Sequence, residues 1–285
     1  MTGVKIELAE SAGFCFGVRR AVDSVYRLAG EPGRKVCTLG PIIHNEQVVR
    51  DLEKKGVSVI DSAEKMPTDG PATLVIRSHG VSREVIRDLE ERGIAYEDAT
   101  CPFVKKIHDT VSLYSQKGYQ IILIGSASHP EVQGILGWTG ETGIVIETPE
   151  QAEGFFLEKK EQKICIVAQT TFNYKKFKDL VEIIEKKGYD IYVVNTICNA
   201  TSTRQKEAEE LAARSEAMIV IGGKNSSNSR KLYEICKNQC ENTFFIQTVD
   251  DLGSISLSSF TSLGITAGAS TPKNIIQEVL RACQI

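Results

Sequence analysis

The sequence predicts an α/β protein built from parallel sheets that are covered on both faces. Two observations predict it. Short β-branched runs alternate with amphipathic, charged segments along the whole chain, the pattern of strands joined by crossover helices. Several charged segments also end in Lys-Gly or Arg-Gly, at Lys55-Gly56, Arg92-Gly93, Lys117-Gly118 and Lys187-Gly188, a helix C-terminus signature.

Strands are expected at Val4–Leu8, Lys35–Leu39, Thr73–Ile76, Gln120–Ile124, Ile164–Val167, Ile191–Val194, Met218–Ile221, Thr243–Ile246 and Leu263–Thr266. Helices are expected over stretches such as Val18–Leu28, Asn45–Lys55, Arg83–Arg92, Val104–Gln116, Lys175–Lys187 and Thr203–Arg214. The 285 residues carry 34 Lys and Arg against 37 Asp and Glu, a net charge of −3, with 41% hydrophobic and 25% charged residues. That balance excludes a disordered tail, a collagen-like fibre and a coiled-coil rod. The length fits two domains or three small ones. The slight acidity excludes a broad nucleic-acid or anionic-membrane footprint. No stretch reaches the ~20 apolar residues of a membrane span. The first ten residues, with Lys5, Glu7 and Glu10, lack a signal-peptide layout. A cytoplasmic protein is expected, and its eight cysteines are too sparse for a secreted disulfide scaffold.

A weak internal repeat organises the chain. Cys15, Cys101 and Cys198 lie 86 and 97 residues apart. Each precedes a helix-like run and then a strand ending in a polar loop, which carries His44, His129 or Asn228 at 28 to 30 residues from its cysteine. A second strand follows with a polar end: Arg77-Ser78-His79, Gln169-Thr170 and Gly268-Ala269-Ser270. Three such units predict three small α/β domains about a pseudo-threefold axis. Their expected extents are 1–98 (joined by the segment 272–285), 99–195 and 196–271. In open parallel sheets ligands bind beyond the carboxyl ends of the strands, where all these polar residues fall.

The three spaced cysteines sit at loop–helix junctions, where a helix N-terminus favours a thiolate. They fit a shared metal or cluster better than a disulfide, but without a compact C-x₂-C-x₂-C run the spacing leaves ordinary buried or reactive thiols open. Cys37, Cys165, Cys236, Cys240 and Cys283 occupy apolar contexts and read as small buried hydrophobes. His44, His79 and His129 fall in strand-end loops, either as anion ligands or as capping and solvated histidines. His108, inside a helix-like run, reads as structural. Gly222–Arg230 follows a strand and opens a helix, so that Ser226, Ser227 and Asn228 could surround an anion; alone, the segment is equally an ordinary N-cap. With Ser270 and the three histidines, it points to an oxyanion pocket. Glu131, two residues after His129, is either a buried proton donor or a first-turn helix charge.

With these residues assembled, the chain resembles the 4-hydroxy-3-methylbut-2-enyl diphosphate reductases, the family that closes the non-mevalonate isoprenoid pathway. The matches are Gly13-Phe14-Cys15-x-Gly17-Val18-x-Arg20-Ala21, Gly40-Pro41-Ile42-Ile43-His44-Asn45, Arg77-Ser78-His79-Gly80, Asp98-Ala99-Thr100-Cys101-Pro102, His129-Pro130-Glu131-Val132, Gln169-Thr170-Thr171, Cys198-x-Ala200-Thr201-x-x-Arg204-Gln205, Lys224-Asn225-Ser226-Ser227-Asn228-Ser229 and Gly268-Ala269-Ser270. The resemblance implies a three-domain cloverleaf around one 4Fe–4S cluster. Cys15, Cys101 and Cys198 would each hold an iron, and the fourth iron would be open to substrate. It implies that His44, His79, His129, Ser226, Ser227, Asn228, Ser270 and Thr170 bind the substrate, whose diphosphate the histidines, serines and Asn228 hold. Glu131, with Thr170 nearby, would supply protons.

The implied reaction is a two-electron reductive dehydroxylation giving isopentenyl and dimethylallyl diphosphate, by a monomer. No G-x-G-x-x-G follows a strand to hold a nicotinamide dinucleotide, so electrons are expected from a separate protein such as ferredoxin or flavodoxin. Appended RNA-binding-type repeats, which some members carry, are not expected. Two rival readings are a non-redox iron–sulfur lyase and a sensor that binds cluster and anion without chemistry. Glu131 beside the pocket disfavours the sensor.

Overall fold

The computed structural model describes residues 4–159 and 161–284. Strand β1 (Lys5–Leu8) precedes Cys15. From Cys15 to Cys101 run α1 (Phe16–Ala29), β2 (Lys35–Leu39), α2 (Glu46–Lys54), β3 (Val57–Ile60), β4 (Ala72–Ile76), α3 (Arg83–Glu91) and β5 (Tyr96–Asp98). From Cys101 to Cys198 run α4 (Pro102–Gln116), β6 (Gln120–Ile124), α5 (Pro130–Leu136), β7 (Gly143–Ile146), α6 (Pro149–Gly154), β8 (Ile164–Ala168), α7 (Tyr174–Glu185) and β9 (Ile191–Val193). After Cys198 come α8 (Asn199–Ala213), β10 (Ala217–Ile221), α9 (Ser227–Gln239), β11 (Thr243–Ile246), β12 (Ser262–Ala267) and α10 (Lys273–Cys283).

Among the described residues the strands form three four-stranded sheets, ordered β3-β2-β4-β5, β7-β6-β8-β9 and β11-β10-β12-β1. Every pairing is parallel. The α/β class expected from the alternating pattern is therefore the observed one. Two compact units result. The larger, residues 20–42 and 51–198, holds the first two sheets; the smaller, built from residues through Arg19, 43–50 and from Asn199 on, holds the third.

Central strands read as unbroken apolar runs because both of their faces are covered. In the larger unit, Ile122, Ile124, Ile164 and Ile166 pack against Phe177, Leu180 and Ile184 of α7. On the opposite face Ile121, Leu123, Cys165 and Val167 pack against Ile107 and Val111 of α4 and Val132 and Ile135 of α5. The smaller unit repeats the sandwich. Ile219, Ile221 and Ile265 face Ile275, Ile276 and Val279 of α10, while Met218 and Val220 face Leu211 of α8 and Leu232 of α9. The helix after Cys101 or Cys198 thus covers the sheet that follows it. No helix among the described residues is long and apolar enough to cross a membrane.

Two features go beyond the expected layout. Strand β1 pairs with β12 and α10 packs on the sheet of β10 and β12, so the first strand and the last helix share the third sheet, whereas β2–β5 of the expected extent 1–98 form a sheet of their own. The chain's first strand fills the edge place that β5 and β9 hold in the other sheets. Strands β3, β5 and β7 were also absent from the expected set. They are short edge strands with half-exposed or exposed positions, so neither an apolar run nor a clean alternation marks them, and backbone pairing with a buried neighbour fixes them instead.

Ile166→Ala, which empties a fully buried position of β8, is expected to remove about 2–5 kcal/mol of stability. Phe156→Ala, at a side chain 75% exposed, should stay within about 0.5 kcal/mol. Urea unfolding of both variants checks the contrast.

Candidate active site

In the larger unit each sheet turns its connections in opposite directions from its two central strands. Strands β2 and β6 return to β3 and β7, whereas β4 and β8 lead to β5 and β9 on the far side. The carboxyl ends of these strands are therefore topological switch points, where open parallel sheets bind ligands. In the larger unit His79 lies three residues beyond β4, His129 five beyond β6 and Thr170 two beyond β8.

His79 and His129 meet edge to face, with ring centroids 5.3 Å apart. His129 also caps α5, its Nδ1 accepting from the Glu131 amide at 3.1 Å. The expected capping role and the expected pocket role thus fall on one side chain, and the cap places the ring proton on Nε2. Glu131 is only 2% exposed, so it is no solvated first-turn charge. Its Oε1 accepts from the Thr170 amide at 2.6 Å and its Oε2 from the Thr170 hydroxyl at 2.7 Å. Two donors from one residue fix the plane of the carboxyl group.

The cysteines stand at helix starts: Cys15 directly before α1, Cys101 as the N-cap of α4, Cys198 directly before α8. All three are half-buried. The Cys101 amide donates to the Ser78 carbonyl at 3.0 Å, and the Cys198 amide to the Thr170 carbonyl at 3.1 Å. Each bond extends strand pairing past the sheet's end, after Ala99 N to Ile76 O in one case and Val194 N to Ile166 O in the other. Both cysteines are thereby locked in register with a site loop. Gly80 makes the turn after His79. Its φ of +72° is left-handed, and a Cβ there would meet His108 Cε1 at 2.8 Å, so glycine is required. Arg20 of α1 holds the other side of this joint, donating to the Thr100 carbonyl at 2.6 Å.

The smaller unit repeats the plan. The Cys15 amide donates to the Ala269 carbonyl at 3.3 Å. Ser270 Oγ donates to the His44 carbonyl at 3.2 Å, and Ser226 caps α9 by accepting from the Ser229 amide at 3.2 Å. Asn228 is 5% exposed, and both its carboxamide atoms lack a hydrogen-bond partner, which is costly for a buried amide unless a ligand supplies the bonds. Arg204 of α8, buried to 3% exposure, donates through Nε to the Ser11 carbonyl at 3.0 Å and through Nη2 to the Gly13 carbonyl at 2.7 Å, shaping the loop before Cys15. The larger unit thus gathers His79, His129, Glu131, Thr170, Cys101 and Cys198, and the smaller one Cys15, His44, Ser226, Ser227, Asn228 and Ser270.

The remaining cysteines are packing groups. Burial pushes the thiols of Cys165 and Cys236 up to about 12, and those of Cys37 and Cys283 upward. Cys240 is buried beside Cys236. His108 is structural as expected: burial lowers it to about 4, against the opposing pull of Asp98 and Asp109, and its neutral ring stacks on Trp138 at 4.9 Å. Sequence reasoning assigned no role to Arg20, Arg204 or Gln169, although all three lie within matched motifs. Gln169 is fully buried, and its Oε1 accepts from the Ser126 amide at 3.1 Å.

Comparison with known proteins agrees with this geometry. The family model described as LytB protein matches residues 6–284. A protein of Thermoanaerobacter sp. (strain X514) named 4-hydroxy-3-methylbut-2-enyl diphosphate reductase is 46% identical over 279 residues, covering 98% of this chain and 96% of that one. A protein of the same name from Clostridioides difficile (strain 630) is 43% identical over 277 residues, covering 97% and 98%. A solved structure of (E)-4-hydroxy-3-methyl-but-2-enyl diphosphate reductase, described as the terminal enzyme of the non-mevalonate pathway, superposes with a TM-score of 0.71 at 43% identity, covering 99% of both chains. The Plasmodium falciparum E-1-hydroxy-2-methyl-but-2-enyl-4-diphosphate reductase gives a TM-score of 0.92 at 27% identity, covering 98% of this chain and 87% of its own. With a family model spanning nearly its whole length, the chain belongs to the LytB protein family.

Proposed function

We propose that this chain reduces 4-hydroxy-3-methylbut-2-enyl diphosphate to isopentenyl and dimethylallyl diphosphate, using one 4Fe–4S cluster held by Cys15, Cys101 and Cys198. The observation that carries the reading is the buried Glu131–Thr170 pair beside His129 at the carboxyl ends of β6 and β8. The donor set fits the cluster. Three half-buried cysteines close equivalent edge strands and open helices, and soft thiolate ligands select iron–sulfur clusters. When bound, such a cluster with three protein ligands supplies a Lewis-acidic open iron and a path for single electrons.

The chain's own groups do the rest. The diphosphate takes hydrogen bonds from His44, His79 and His129 Nε2, from the hydroxyls of Ser226, Ser227 and Ser270, and from Asn228 Nδ2. Binding relieves the unpaired buried carboxamide of Asn228. The hydroxymethyl end of the substrate lies toward Glu131, whose carboxyl group passes a proton to the departing hydroxyl so that water leaves. The Thr170 amide and hydroxyl hold that carboxyl group in place, and the hydroxyl relays its proton. Two electrons come from a separate carrier such as ferredoxin or flavodoxin, and a second proton taken up at either end of the allyl fragment gives the two products. The enzyme works as a monomer in the cytoplasm, a compartment that keeps ligand thiols reduced.

Cys15→Ser, Cys101→Ser and Cys198→Ser should each lose most of the iron and sulfide counted after anaerobic purification, whereas Cys37→Ala should keep them. Full iron content with activity in any of the first three would end the cluster assignment.

Glu131→Gln keeps size and hydrogen bonding but cannot release a proton. General acid catalysis contributes about 10²–10⁴-fold, so kcat should fall into that range while KM changes far less. Steady-state kinetics with excess reductant and an unchanged cluster spectrum tests this. Near-normal turnover would remove Glu131 from the proton path.

A further inference from the structure

Among the described residues, one charged side chain at the carboxyl ends of β2 and β4 has no partner. Arg77 directly follows β4 and stands two residues before His79. Its guanidinium lies against Gly40, the residue directly after β2, where a Cβ would meet Nη1 at 2.5 Å and Cζ at 3.5 Å. Gly40 has a φ of +70°, so that this turn suits glycine twice over, by conformation and by the space it leaves. The group therefore sits where the loop leading to His79 leaves its sheet beside the loop leading to His44.

Arg77 Nε is buried and without a hydrogen-bond partner, and among the described residues no carboxylate pairs with the side chain. Burial alone lowers its pKa from the ordinary guanidinium value; no acid opposes that pull. A guanidinium stays charged in proteins and presents five donors in a fixed fork. Withdrawing such a group from water without an acceptor is costly. The neighbouring Ser78 satisfies itself locally, its hydroxyl donating to the Ile42 carbonyl at 3.3 Å. Arg77 does not.

We infer that Arg77 binds the diphosphate of the substrate, as the permanent cation of a site otherwise lined by histidines, hydroxyls and a carboxamide. The inference rests on the proposed function and adds to it. Histidine and serine donors give direction, but a diphosphate carries roughly three negative charges, and a guanidinium is the side chain whose charge and fork match phosphate oxygens. The uncompensated charge is the stability given up in the empty protein to be recovered on binding, the usual trade at functional sites.

Calorimetric titration of inorganic diphosphate into the anaerobically purified holoenzyme tests this, with Arg77→Gln, Arg77→Lys and His79→Asn compared to the natural chain. Arg77→Gln should weaken binding about tenfold to a hundredfold, Arg77→Lys, which keeps the charge but not the fork, should recover only part of the loss, and iron content should not change. In turnover, KM should rise by the same factor while kcat holds. The melting temperature separates binding from folding: removing an unpaired buried charge should leave it equal or higher, whereas a structural arginine would lower it. Arg77→Gln binding as tightly as the natural chain, while His79→Asn binds weakly, would overturn the role of Arg77 and leave the proposed function standing. A lowered melting temperature with lost iron would also overturn it, by assigning Arg77 to the fold. Failure of the natural chain to bind diphosphate at all would overturn the proposed function itself.

Discussion

The rest of the site depends on one hydrogen bond, made three times. In each sheet, the amide of the cysteine that follows the edge strand donates to a carbonyl two residues beyond the second central strand. The pairs are Cys15 with Ala269, Cys101 with Ser78 and Cys198 with Thr170. Because parallel pairing sets strand register rung by rung, this last rung fixes the thiol relative to the polar loop beside it. The loops so fixed carry Ser270, His79 and Thr170. The thiol and the polar side chain beside it are thereby held by the same backbone geometry, with no long side chain to order.

The rung also explains the phase of the repeat. Cys101 and Cys198 each close one sheet's edge strand and open the helix that covers the next sheet, so they belong to joints rather than to domains. The third sheet obtains its edge strand from the chain's own beginning, β1 beside β12. An arrangement of the form helix, strand, helix, strand, strand, helix, strand is complete twice, with α6 inserted before β8 in the second copy, and the third copy lacks only its final strand until β1 supplies it. Cys15 then falls where Cys101 and Cys198 fall. Its position near the N-terminus follows from where the repeat is cut.

This phase limits what the sequence can reveal. The spacing of Cys15, Cys101 and Cys198 and the polar ends of the central strands were legible because buried parallel strands are continuous apolar runs, and anything polar at their ends stands out. Domain boundaries were not, since the pairing of β1 with β12 joins residues some 250 positions apart and leaves no local trace. Edge strands escaped for a related reason: Tyr96–Asp98 and Val57–Ile60 owe their conformation to a neighbour's backbone rather than to their own pattern. Arg20, Arg204 and Gln169 stood inside recognisable motifs, yet their bonds to Thr100, Ser11, Gly13 and Ser126 are distant backbone contacts that no periodicity announces. Arg77 was hidden differently. What marks it is a missing acceptor, visible only once every neighbour has been placed.

The eight cysteines show how position selects chemistry from one side chain. Thiolate is the ligand and the nucleophile, so a thiol that resists ionisation is inert. Cys165 in β8 and Cys236 in α9 lie among aliphatic side chains; burial pushes both thiols up to about 12, and Cys240 adds to the rise at Cys236. Cys37 and Cys283 are pushed the same way. Cys15, Cys101 and Cys198 stand directly before helices at the carboxyl ends of their sheets and are only half-buried. The fold needs no compact cysteine motif to discriminate, because packing disarms Cys37, Cys165, Cys236 and Cys283. The same sandwich of helix and sheet that buries Cys165 also ends abruptly at the strand's carboxyl end, and the chemistry begins where the packing stops.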